Sequence, residues 1–406
     1  MAQPTALNTV VGGAVFLLAL GGMYSRPVRR STLWTVTVTP LASIIGSGFL
    51  ISAPILYARF GTLAVPALVV VNAFAIGLGL AIRHNIQHFD EARAALMAKH
   101  RELAVFGRLS SLTLGLAYVA SVAFYVSLLS AFALASLGVH DHLWVRVLGA
   151  VILAGIGGYG YWRGLHGLEA VEKVAVNVKL AIISGLIAVL AFFALRGGRP
   201  GAFPEPTLGL EGARVLGGML IITQGFETTK YLGAHYAVRP RIRALLLAQV
   251  IALAVYVLFV ALVAPLVVGV DAKDETAIIA IIAKLGAALG VGLSLGAILS
   301  QFSAAVADTV GAGGILAQES KGRVPERKAY VAITLFAILL IVGLNVFSVM
   351  SVASRAFATY YALQCAVATV TAARMPSSGW RAAKLVAFPA LGVVAALIAV
   401  FAVPAE

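Results

Sequence analysis

The chain has 406 residues, of which 61% are hydrophobic and 11% charged, with a mean hydropathy of +0.99. Soluble domains carry about 25% charged residues, so a water-soluble enzyme or binding module is excluded and the sequence reads as one integral membrane domain, 1–406, with no soluble appendage. The net charge of +14 does not indicate nucleic acid, because the basic residues cluster between apolar segments. Its one cysteine, Cys365, rules out a disulfide framework or a Cys-based metal site within one chain.

Twelve apolar spans are expected in chain order: 6–24, 33–58, 62–82, 109–137, 143–161, 173–195, 213–231, 242–268, 286–316, 327–349, 351–373 and 380–402. Each reaches or exceeds the minimum of roughly 17–20 residues needed to cross a bilayer as a helix. The first lacks a cationic leader and is followed by Arg26, Arg29 and Arg30, so it reads as a retained helix rather than a cleaved signal. With the Arg26–Arg30 side taken as inside, most of the 30 Lys and Arg fall on inside connections. Arg59, Arg146, Arg196, Arg199, Arg214, Lys273, Lys284 and Arg355 are assigned to the outer half. This asymmetry is that of a cytoplasmic loop set, and the expected location is a multi-pass position in a bacterial inner (cell) membrane.

Two spans are interrupted. Thr39 to Pro54 reads TPLASIIGSGFLISAP, with Gly46-Ser47-Gly48 at its middle. Glycine costs about 1 kcal/mol relative to alanine inside a helix, and irregular backbone at membrane depth survives only against protein or a water-filled cavity. The second interruption is Ile221 to Gly233, IITQGFETTKYLG. Two broken helices half a chain apart suggest two repeats sharing one midplane site, as in secondary transporters.

Between the spans, His84 to Arg108 is the longest polar connection. Ile86, Phe89, Leu96, Leu103 and Phe106 recur near helical spacing there, which predicts an amphipathic surface helix. A short external helix is expected between about Glu275 and Gly286. Gly155 to Gly160 matches GxGxxG but lies inside an apolar span with no strand before it, so it is not a dinucleotide fingerprint. His84 and His88, with Asp90 nearby, and the pair His140 and His142 fall on opposite sides of the expected topology, which argues against a membrane di-iron enzyme. No cofactor, no metal and no enzymatic activity are expected.

The sequence resembles the amino acid–polyamine–organocation (APC) superfamily, whose transporters have the LeuT-type inverted-repeat fold. Four features carry the likeness: Gly46-Ser47-Gly48 in the first core helix, Gly225-Phe226-Glu227 in the sixth, Asn177 and Lys179 in the fifth, and the Ser-rich eighth running into a basic loop, Ser300 to Pro325. Departures are Ala234-His235-Tyr236, where the family often has acidic residues, and Arg355 in the tenth core helix. The resemblance implies an all-α membrane protein of about 12 transmembrane helices. Its core is a five-plus-five inverted repeat, 33–195 and 213–373, with one extra helix before (6–24) and one after (380–402).

It also implies roles. Ser43, Gly46, Ser47 and Gly48 would present backbone N–H groups to a substrate carboxylate, aided by the half-helix dipole. Gly225, Phe226 and Glu227 would line the opposite wall; an intramembrane carboxylate is a functional candidate by default, with a structural anchor for the break as the alternative. Lys179 would stand where sodium-coupled relatives hold a cation, near Ser303. The alternative for Lys179 is a snorkelling lysine. Asp308 would pair with Lys179 or relay a proton. Arg355 would pair with Glu227 or Asp308, or face the outer vestibule. Tyr118, Ser121 and Tyr125 share one helix face and would line the pocket or pack in the core.

The expected function is secondary active transport, proton-coupled, of an amino acid, amine or similar small organic solute by alternating access. Its partners are that solute, a proton (or sodium) and the lipid bilayer, with no nucleic acid; the sequence leaves the oligomeric state open. The alternatives are an inorganic cation or metal transporter on the same fold, and a non-transporting membrane sensor.

Overall fold

The computed structural model describes residues 5–46, 48–165, 169–198, 201–234, 236–274, 276–374 and 380–404. Ser47 and His235, singled out above, lie outside them. The described chain is helical. Helix α1 (Thr5–Met23) and the single turn α2 (Arg26–Arg29) precede the first broken helix, which is α3 (Thr32–Ile44) followed by α4 (Gly48–Phe60). Then come α5 (Ala64–Asn85), α6 (Arg93–Lys99), α7 (Arg101–Ala135), α8 (His142–Arg163) and α9 (Glu169–Leu195). The second broken helix is α10 (Gly209–Gly218) with two 3-10 turns, Leu220–Thr223 and Phe226–Ala234. The chain continues through α11 (Val238–Val263), α12 (Ala277–Ala283), α13 (Ala287–Glu319), α14 (Glu326–Gly343), α15 (Val346–Arg374) and α16 (Arg381–Phe401).

Among the described residues, nine helical runs are long and apolar enough to cross a membrane, one of them the joined run Gly48–Asp90. The nine and the twelve expected spans differ for physical reasons. Each broken helix is cut into pieces too short to cross alone, α4 and α5 are joined through the 3-10 turn Gly61–Leu63, and α14 opens with Glu326, Arg327 and Lys328. One boundary moves: the division between the last two core helices falls at Leu344–Asn345, not near Met350. Leu344 is extended (φ −129°, ψ 155°), and the Asn345 side-chain carbonyl accepts the Ser348 amide at 2.7 Å, which caps the start of α15. The expected external helix is α12. The expected amphipathic helix after α5 becomes a π-turn, Ile86–Asp90, the short α6 and the first turns of α7. Phe89 and Leu103 are buried there against Val367 of α15, in a small core of their own.

The long helix α7 packs against both α13 and α15, α13 lies on α3 of the first break and α15 on α10 and the following 3-10 turn of the second, so the polar centre is enclosed by helices rather than loops. Helix α16 lies on α15, and α1 on α9. Both present rows of exposed Leu and Val, among them Leu17, Leu18, Val393 and Val400, the surface a lipid-facing helix requires. The α1–α9 contact is close because glycines face each other. A Cβ on Gly185 would lie 2.6 Å from the Gly12 carbonyl oxygen. Asn8 then ties α1 to the Leu285 carbonyl at 2.9 Å.

The glycine contact makes a direct prediction. Gly185→Val overpacks the α1–α9 seam and should lower stability by about 1–3 kcal/mol, seen as a lower unfolding temperature of the detergent-purified protein. An unchanged transition would show that α1 does not dock there.

Candidate functional site

The helix α3 stops because Ile45 leaves helical geometry (φ −86°, ψ 59°), and α4 restarts at Gly48. The interruption frees the last carbonyls of α3 and the first amides of α4. In the second break Gln224 is extended and Gly225 takes φ +119°, a conformation L side chains rarely adopt. Gly225 is also where the two broken helices touch: a Cβ there would lie 2.6 Å from the Ser43 Cβ and 2.7 Å from the Ile44 nitrogen. At Gly46 a Cβ would approach Gln301 Oε1 and the Tyr125 ring at 3.3 Å, and at Gly48 it would approach Ile222. The glycines of both interruptions are therefore required by close packing of the two breaks on each other and on α7 and α13.

The freed carbonyls are answered by side chains. Lys179, 1% exposed, donates from Nζ to the Ala42 carbonyl at 2.8 Å and to Ser300 Oγ at 3.3 Å. Ser300 in turn donates to the Ile45 carbonyl at 2.8 Å. A covalently tethered ammonium thus joins α9, the end of α3 and α13. The serine beside Lys179 is Ser300, one turn before the expected Ser303. Ser303 Oγ donates to the Ser300 carbonyl of its own helix at 3.0 Å, as a serine in a helix does when it turns back on the preceding turn.

Tyr256 of α11 places its hydroxyl against the Ile44 carbonyl and, at 2.6 Å, the Ile222 carbonyl, one from each broken helix. Ser354 of α15 donates to the Gly218 carbonyl at 2.7 Å and accepts the Ile221 amide at 3.0 Å, bridging the step where α10 becomes 3-10.

Two carboxyl groups sit at this level, both with no exposed surface. Asp308 accepts from Ser43 Oγ at 3.2 Å and from Ser121. Glu227 Oε2 accepts the Gly225 amide at 2.9 Å, folding back on its own break, and the Tyr361 hydroxyl at 2.9 Å. Among the described residues, Glu227 Oε1 has no hydrogen-bond partner. Tyr125 donates to the Ser43 carbonyl at 3.3 Å and accepts from Gln224 Nε2, while Gln224 Oε1 has no hydrogen-bond partner among the described residues. Phe226 is fully buried and stacks on Tyr361, centroids 5.3 Å apart.

The expected site residues Ser43, Gly46, Gly48, Tyr125, Lys179, Gly225, Phe226, Glu227 and Asp308 thus come together around the two breaks. Tyr118 is buried with its ring against Gly311 and edge-on to Phe357 at 5.9 Å. Arg355 lies with neither buried carboxyl. It is exposed, and its guanidinium caps the last carbonyls of α16, Ala399 at 2.8 Å and Val400 at 2.9 Å. A cation at a helix C-terminus is in a favourable place. Sequence reasoning missed Gln224, Tyr256, Ser300, Ser354 and Tyr361. Gln224 was the most visible of these, a polar residue directly before Gly225.

Interrupted membrane helices meeting at a sealed polar centre define a transporter rather than an enzyme. The chain belongs to the APC superfamily: residues 26–402 match a family model described as APC superfamily transporter. A protein of Aquifex aeolicus (strain VF5), described only as uncharacterized, is 40% identical over 357 residues, covering 87% of this chain and 88% of that one. Among solved structures the fold is similar to Mhp1, a nucleobase-cation-symport-1 family transporter, in a closed conformation with bromovinylhydantoin bound. The TM-score is 0.57 at 12% identity, over 91% of each chain.

Ser354 tests whether the second break is built as described. Ser354→Ala leaves the Gly218 carbonyl and the Ile221 amide unpaired in a buried setting and should cost about 1–3 kcal/mol of stability. A loss no greater than that of a half-buried control such as Ser348→Ala would contradict it.

Proposed function

We propose that the protein is a proton-coupled secondary transporter of an amino acid, amine or similar small organic solute, working by alternating access around the two breaks. In this reading 33–195 and 213–373 are inverted repeats, and the face carrying the basic loops is the cytoplasmic side of a bacterial cell membrane. The observation that carries it is the position of Lys179. Its ammonium holds the Ala42 carbonyl and Ser300 together, across the contact that opens and closes when the first broken helix moves against α13. A tethered cation cannot diffuse away with the solute. It releases those oxygens only by giving up its proton, so the helix contact and the proton are linked. Sodium would instead need that place to be vacant of an ammonium.

The solute-binding residues of this reading are Ser43, Gly46, Ser47, Gly48, Tyr118, Tyr125, Gly225, Phe226 and Glu227, with Lys179, Glu227, Ser303 and Asp308 in coupling. The amides opening α4 suit a carboxylate. The unpartnered acceptors Glu227 Oε1 and Gln224 Oε1 suit an N–H donor, since a buried acceptor gains most from a partner supplied by the ligand. Because the similar fold of Mhp1 holds a hydantoin derivative, cyclic amides belong beside amino acids and amines among the candidate solutes.

The test begins with thermal stability of the purified protein against amino acids, amines, organic acids and cyclic amides at two pH values. A ligand at 100 times its dissociation constant adds about 2.7 kcal/mol. With the solute in hand, Lys179→Ala in proteoliposomes should abolish accumulation driven by a pH gradient. Uphill uptake at the wild-type level without Lys179 would overturn the coupling assignment. Glu227→Gln should weaken binding of an amine at least about tenfold, the equivalent of 1.4 kcal/mol; equal affinity would remove Glu227 from the binding wall.

A further inference from the structure

The second broken helix runs on from Glu227 as a 3-10 turn, in which residues three apart eclipse one another. Lys230 therefore follows Glu227 on one face. Helix α15 offers Tyr361 and Gln364 at the matching spacing. The result is two rungs between the same elements: Tyr361 to Glu227 at 2.9 Å and Lys230 to Gln364 Oε1 at 3.2 Å. The second rung gathers further elements. Asn85 Nδ2 donates to Gln364 Oε1 at 2.8 Å, and Gln364 donates to Ser110 of α7. Lys230 Nζ lies 3.2 Å from Asp90 Oδ1, and Arg241 of α11 donates to the Lys230 carbonyl at 3.1 Å.

Beside this rung lies a cavity of about 450 Å³ whose walls include Asp90, Glu91, Lys230, Gly233, Tyr236 and Arg241. Two of these are cations held in place. Arg241 is 3% exposed, and its Nε has no hydrogen-bond partner among the described residues. Gly233 is open enough for the guanidinium to lie over its backbone, since a Cβ there would come within 3.0 Å of Nη1. The acids are placed differently. Glu91 is exposed. Asp90 is paired with Lys230 at 3.2 Å, and among the described residues its two oxygens have no further hydrogen-bond partner. Arg93 is committed elsewhere, to Glu319 at 3.1 Å.

We propose that this cavity is a carboxylate-binding site at the basic-face end of the solute route, and that Asp90 occupies it in the closed state as a resident carboxylate. The inference rests on the transport reading above. An ammonium with a guanidinium beside it is suited to a planar two-oxygen anion. Removing Asp90 alone would leave a desolvated cation, which is strongly unfavourable. A solute carboxylate arriving from the centre supplies the replacement. Opening at this rung is thus tied to the presence of an anionic group that can exchange with Asp90.

The test is chemical rescue, which needs no knowledge of the solute. Asp90→Gly should lower the unfolding temperature of the full-length purified protein, and acetate should restore at least half of the loss. Acetamide, or chloride at equal ionic strength, should not, and acetate should do nothing for Asp90→Gly combined with Lys230→Met. If the glycine variant does not fold, Asp90→Asn keeps the shape. Acetate should then raise its unfolding temperature more than acetamide does, by about 2–4 °C.

Equal responses to acetate and acetamide, or acetate rescue that persists without Lys230, would overturn the proposal. Rescue by inorganic phosphate equal to that by acetate would overturn its restriction to carboxylates. The readout involves no flux: a failed rescue leaves the transport reading standing, and a protein that accumulates no solute leaves a successful rescue standing.

Discussion

A backbone in lipid has to pair its own amides and carbonyls, because no water is there to do it. This chain breaks that rule twice, at Gly46 and at Gly225, and the interior is organised around repairing the breach. Lys179, Ser300 and Tyr256 take up the carbonyls that α3 releases. Ser354 bridges the step in the second helix, and Glu227 folds back onto the Gly225 amide. These groups come from α9, α11, α13 and α15, so the breaks recruit partners from both halves of the chain. The small residues at the contact follow from the same constraint: a side chain at Gly225 would displace the backbone of α3.

The buried charges obey a related rule. An isolated charge in a low-dielectric interior is strongly unfavourable, while one held by hydrogen bonds or an opposite charge is tolerated. Lys179 is held by a carbonyl and a hydroxyl, Asp308 by two serine hydroxyls, Lys230 by Asp90 and Gln364. Glu227 is held through Oε2, and among the described residues its Oε1 has no hydrogen-bond partner.

Much of this was legible in the sequence, and the reasons differ by residue. Gly-Ser-Gly inside an apolar run is a local contradiction, so the first break announces itself. Glu227 and Lys179 stand out because charge at membrane depth is rare. What could not be read is which neutral polar residue reaches which carbonyl. Ser300 and Ser303 are one helical turn apart, and only the rotation of α13 about its axis decides between them. Tyr256 and Ser354 lie among ordinary membrane-helix residues with no periodic signal. Arg355 stayed open between three placements because its partner is the end of α16, a contact set by how an accessory helix docks rather than by the core. The inner rung escaped notice because Lys230 and Asp90 each look like interfacial charges until the π-turn and the 3-10 turn bring them together.

The Tyr256 hydroxyl carries a further consequence. A phenol has one hydrogen, and here it faces two carbonyl oxygens, those of Ile44 and Ile222. It can donate to one at a time, while the other meets a lone pair. The hydroxyl thus links the two broken helices through one proton that both carbonyls draw on. Rotation of a single O–H bond exchanges which carbonyl it points to. A fold that is tightly packed almost everywhere thus keeps, at one of the points where its broken helices meet, two arrangements of a single proton.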